Sequence, residues 1–109
     1  MLLANAMEVL NYTAHDVLLV DPDDGTETLI EREPDAPIRL DTTRKRLGKF
    51  LYKVTFGEPR NMPVERPGIY LIVSSPVKLA FPDRIDLVTP NEQIRDYKGN
   101  VIGCKSFAL

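Results

Sequence analysis

The stretch that decides the fold runs from residue 68 to residue 90, GIYLIVSSPVKLAFPDRIDLVTP. Its first half, IYLIVS, is apolar at consecutive positions, so both faces of an extended segment there are apolar. That is the pattern of a central strand with neighbours on either side. Two serines break the run. Ser75 is placed to N-cap a helix, Pro76 suits the first helical position because its missing N–H has no partner to lose, and Val77, Ala80 and Phe81 fall on one side. Pro82 stops the helix, and IDLVT resumes as a short strand.

Working outward, HDVLLV (15–20) and TETLIERE (26–33) flank the turn cluster DPDDG and read as a β-hairpin. In FLYKVTFG (50–57), Phe50, Tyr52, Val54 and Phe56 alternate with Leu51, Lys53 and Thr55, which predicts a strand with one buried face. PDAPIRLD (34–41) holds two prolines and predicts an edge strand or an irregular extended segment. EPRNMPVERPG (58–68) reads as a loop. QIRDY and VIGCKSF flank KGN and predict a terminal hairpin. TTRKRLGK (42–49) is the basic cluster, with Arg44, Lys45 and Arg46 read as a solvated turn or, alternatively, as added affinity for phosphate.

These segments predict a mostly β domain, or α+β with a minor helical part. The expected form is a small antiparallel sheet or partly open barrel of about seven short strands, with one short helix near 75–81. A chain of 109 residues reads as a single domain, 1–109, with 1–9 as a loose N-terminal tail and Met7 as an alternative start.

Composition narrows the function classes. With 43% hydrophobic and 28% charged residues, the chain has an ordinary globular balance, and a small core makes self-association into a homo-oligomer a reasonable expectation. A net charge of −2 argues against a general nucleic-acid binder. One cysteine, Cys104, allows no intrachain disulfide. The opening MLLANAMEVL lacks a basic leader, and no apolar run approaches the roughly 18–20 residues of a membrane span. A cytoplasmic protein with no membrane partner is the expectation.

His15 is the single histidine, so multi-histidine metal sites and two-histidine catalysis are excluded within one chain. No metal, no cofactor and no catalytic set is expected. Asn11, Thr13 and His15 share a face if extended. Asn11 and Thr13 can satisfy backbone groups at a strand start while His15 bonds locally, or Asn11 and His15 can read a ligand. Ser74 and Ser75 sit where a strand meets a helix, which suits plain capping or an anion held by free N–H groups. Neither a P-loop, a dinucleotide fingerprint nor a nucleophile elbow accompanies them. Arg84 and Asp86 also share a face, as a structural ion pair or as a fork on a phosphate with Asp86 orienting it. Arg95 and Lys105 are further candidate phosphate contacts, whereas Cys104 reads as a small buried apolar group.

Taken together, LNYTAHDVLLV, VTFGE, the 67–90 stretch and IRDYKGNVIGCKSF resemble a family of small uncharacterised phage and prophage proteins. Its pattern runs Asn-x-Thr-x-His, then Tyr-x-Ile-Val-Ser, Arg-x-Asp and Arg-Asp-x-x-Gly-x-x-Ile-Gly-Cys. The resemblance covers Leu10 to Phe107 apart from 21–49, and departs from the pattern at Tyr12 and Ala14 (where the family has Leu and Pro). It implies a phage accessory setting in the host cytoplasm. The expectation is a non-catalytic binder that sequesters a phosphate-containing nucleotide-type defence signal. The alternatives are an inhibitor that contacts a host protein, or a small nucleotide hydrolase with His15 as base and Asp86 as its partner.

Overall fold

A computed structural model describes the backbone of residues 1–109 and all side chains except those of residues 58 and 60. The described residues form eight strands and one helix: β1 (Glu8–Asn11), β2 (Val17–Val20), β3 (Glu27–Ile30), β4 (Arg39–Gly48), β5 (Leu51–Arg60), β6 (Ile69–Ile72), α1 (Ser75–Ala80), β7 (Leu87–Arg95) and β8 (Val101–Ala108). Six strands make one mixed sheet in the order β1-β6-β7-β8-β2-β3, and β4 with β5 form a separate two-stranded ribbon. The expected mostly β fold with one short helix is what the chain adopts.

The Gly68–Pro90 stretch is the centre of the sheet. β6 pairs in parallel with β1 on one side and with β7 on the other, Leu71 opposite both Leu10 and Leu87. Its two faces serve two cores. Ile69 and Leu71 join Tyr12, Ile38, Val73, Val77 and Leu87, with α1 laid over this layer through Val77 and Phe81. Tyr70 and Ile72 face Val9, Ile30 and Val88, packed with Val17, Leu19 and Phe107 in the barrel interior. Consecutive apolar residues are what a strand buried on both faces requires.

The helix starts one residue earlier than its sequence indicates. Ser74, extended at φ −71° and ψ 156°, is the N-cap and makes no side-chain cap bond; Ser75 is already helical. Parallel pairing of β6 with β7 follows from this crossover, because a strand that returns through a helix re-enters in its original direction. The two segments expected as IDLVT and QIRDY are one strand, β7, which passes through Pro90 and the left-handed Glu92 at φ 50°.

Residues 1–9, expected as a loose tail, are part of the fold. Leu2 bridges Glu8, the N-terminal ammonium donates to the Val9 carbonyl at 2.7 Å, and Val9 is fully buried. The barrel nearly closes where Asn11 bridges Arg32, just past β3.

β4 and β5 depart most from expectation. Phe50, Tyr52 and Phe56, read as a buried face, are 89%, 53% and 52% exposed. Arg44, Lys45 and Arg46 lie in β4 rather than in a turn. The ribbon projects: the radius of gyration is 15.9 Å, against about 13 Å for a compact chain of this length.

Candidate functional site

Asn11 ends β1 and is fully buried. Its amide donates to the carbonyls of His15 (2.9 Å) and Ile30 (3.0 Å), and its Oδ1 accepts from the Thr13 N–H (2.9 Å). The Thr13 hydroxyl lies 2.7 Å from that oxygen and 2.8 Å from the His15 carbonyl, and its single proton serves one at a time. The backbone N–H of Glu33 donates to the Asn11 carbonyl, and that of Arg32 to Asp16 Oδ1. Asn11 therefore pins β1, the 13–16 turn and the end of β3 together, with its amide capacity used inside the chain.

Beside this latch lies an open cleft of about 370 Å³. It brings together three of the sequence candidates, His15, Ser74 and Ser75, with Thr13, Gln93 and the floor residue Cys104. No arginine or lysine lines it among the described residues. The His15 ring is exposed and makes no hydrogen bond among the described residues. Burial pushes the Cys104 thiol up, with backbone bonds to Ser106 and Asn91 pulling partly back, so the sulfur is held as a neutral thiol. Its neighbour Gly103 permits the parallel β2–β8 contact, since a Cβ there would stand 2.9 Å from the Leu18 carbonyl oxygen.

The remaining candidates lie elsewhere. Arg84 and Asp86 precede β7 at the start of the parallel strands, whereas His15 lies beyond the end of β1. The Arg84 guanidinium donates Nε to Oδ1 and Nη2 to Oδ2 of Asp86, both at 2.8 Å, and Nη2 also reaches the Pro63 carbonyl at 3.1 Å. The bond to Asp86 raises the Arg84 pKa. Arg95 donates to the Gly99 carbonyl (2.8 Å) and to Gln93 (3.3 Å), holding a terminal turn in which Gly99 takes φ 85°. Lys105 lines a different cleft, of about 570 Å³, between the N-terminal segment and the 21–26 turn. Three cations expected to converge on phosphate thus occupy three separate places. Among the described residues, no three His, Cys, Asp or Glu side chains converge as a metal site.

The largest feature outside the candidate set is the β4–β5 ribbon. Cross-strand partners Arg46 with Tyr52, Arg44 with Val54 and Thr42 with Phe56 share one face. The other face sets Lys45 directly opposite Lys53. Arg46 folds back to the Gly48 (3.0 Å) and Lys49 (3.4 Å) carbonyls at the tip, where Lys49 stands 5.1 Å over the Phe50 ring. Five of the fourteen basic residues (Arg44, Lys45, Arg46, Lys49, Lys53) and none of the sixteen acidic ones lie between Thr42 and Phe56. The signal was present in the sequence as a basic cluster abutting an alternating aromatic strand. Alternation predicts two faces of unlike polarity, and in β5 the apolar face is left in solvent.

No protein-family model, curated protein or solved structure matches the chain.

Proposed function

We propose that the protein is a non-enzymatic interaction module that works by surface contact through the β4–β5 arm. The observation that carries this reading is the arm itself, a ribbon with two ten-residue strands that leaves Phe50, Tyr52 and Phe56 half to nearly fully in water. A lone two-stranded hairpin is marginally stable in water, and Tyr, Phe and Arg on one face are the residue types that anchor protein interfaces. Contact with another protein, rather than capture of a phosphate ligand, is also favoured by the separation of Arg84, Arg95 and Lys105.

A photo-crosslinking side chain placed at Tyr52 or Phe56, compared with the same group at exposed Tyr97 on the body, tests the reading in the producing cell. Protein adducts at the two arm positions and none at Tyr97 are expected. Equal labelling at all three positions, or adducts to nucleic acid alone, would overturn it. Nucleotide signals mixed with the purified protein are expected to leave its melting temperature unchanged.

A further inference from the structure

We infer that the arm's partner is a second copy of this chain, whose acidic cleft beside the 21–26 turn receives the arm tip. The inference rests on the reading of the arm as the contact element and names what it contacts. With five basic residues in the arm, the rest of the chain keeps nine basic against sixteen acidic residues, a net of −7. The molecule is therefore a basic arm on an acidic body. Lys45 stands directly opposite Lys53, which adds a like-charge repulsion within the arm.

The body offers the complementary surface. The cleft of about 570 Å³ is lined by the carboxylates of Asp21, Asp23 and Asp24 against the single cation Lys105, with Leu3, Met7 and Phe107 among its apolar residues. Phe50, with the Lys49 ammonium 5.1 Å over its ring, makes an aromatic and cationic tip, which matches a cleft lined by carboxylates and apolar side chains.

The arm of a chain starts from the end of the barrel away from its own cleft. The arm leaves the body after Ile38, whose N–H donates to the Tyr12 carbonyl beyond the end of β1. The cleft lies at the opposite end, by Met7 before β1, Asp21 after β2 and Thr26 before β3. A neighbour's arm has the reach: ten strand residues span about 33 Å, and the eight of β8 about 26 Å. With its tip in the cleft and one face, about 33 Å by 10 Å, laid along the neighbour's body, each arm presents roughly 330 Å². Two reciprocal contacts in a twofold pair, counted on both partners, bury on the order of 1,300 Å², within the range of stable interfaces.

Sedimentation velocity of the purified full chain provides the test, with two charge-reversed variants: Arg44→Glu/Lys45→Glu/Lys53→Glu in the arm and Asp21→Lys/Asp23→Lys/Asp24→Lys at the cleft. The wild-type chain is expected to form a dimer that weakens with added salt. Each variant alone is expected to be monomeric with an unchanged far-ultraviolet circular dichroism spectrum, and an equimolar mixture of the two to regain the dimer. That rescue excludes misfolding as the cause of the loss. A monomeric wild-type chain, a dimer indifferent to both variants, or a mixture that stays monomeric would overturn the inference. Wild-type monomers whose arm still crosslinks to another protein in cells would sink this inference while leaving the interaction-module reading intact. Binding of single-stranded DNA by the arm in place of self-association would overturn both.

Discussion

Arg84 and Asp86, two residues apart, close a bidentate fork in which both N–O distances are 2.8 Å. The carboxylate is buried, and the guanidinium also holds the Pro63 carbonyl, so the pair ties the 61–68 loop to the start of β7. Its place in the fold is architectural, next to the Leu71 N–H that donates to the Asp86 carbonyl at 2.8 Å.

Removing the two partners should be unequal. Arg84→Ala strands a buried carboxylate and is expected to cost about 3 kcal/mol, while Asp86→Ala leaves a partly exposed guanidinium and costs about 1–2 kcal/mol. The double variant should cost less than the two singles together. Urea denaturation of all four proteins measures this, and additive costs would show that the fork contributes no coupling.

Asn11→Ala is expected to destabilise by about 3 kcal/mol, because the buried carbonyl of Ile30 and the Thr13 N–H lose their partner together. Hydrogen exchange should quicken in β1 and at the β3 end, where the barrel closes, before it quickens in β7 and β8. Uniform quickening would mean that Asn11 is no local latch.

Gly103→Ala forces a Cβ to 2.9 Å from the Leu18 carbonyl oxygen, a backbone atom that gives way only if β2 moves from β8. A loss of about 1–3 kcal/mol is expected, read as a lower melting temperature. The control Gly48→Ala, with open space around its Cβ, should change stability far less.

Alkaline pH should weaken the fold through two groups. Burial raises the Cys104 thiol, and burial followed by the charges of Asp35 and Glu33 raises the Tyr12 phenol. In the unfolded chain these groups ionise near about 8.5 and about 10. Their contribution is therefore fully present below those values and is lost as pH rises through the higher folded ones, because the unfolded state releases its protons first. Denaturation followed from neutral pH to about pH 11 should show a falling stability. Cys104→Ala should flatten the earlier part of that fall and Tyr12→Phe the later part.

Much of the fold was legible in local pattern. Consecutive apolar residues marked β6 as buried on both faces, DPDDG and KGN marked two antiparallel hairpins, and Ser-Pro marked the helix start to within one residue. Each of these depends on backbone chemistry that acts over a few residues: cap geometry, turn φ values and side-chain alternation. The candidate site was legible in part. His15, Ser74 and Ser75 do meet, because one follows β1, the others follow β6, and those strands run in parallel.

Tertiary structure alone decided the rest. Pairing direction between β1, β6 and β7, and between β2 and β8, arises from which strands become neighbours, a non-local outcome that no turn sequence encodes. Arg84 precedes β7, Arg95 ends it and Lys105 lies within the adjacent β8, so the length of β7 and its pairing with β8 keep the three cations apart. Alternation in β5 told that two faces differ in polarity, as they do; what covers the apolar face is a property of the surroundings. Here those surroundings are solvent, because among the described residues β4 is its one partner strand and Tyr52, Val54 and Phe56 stay exposed.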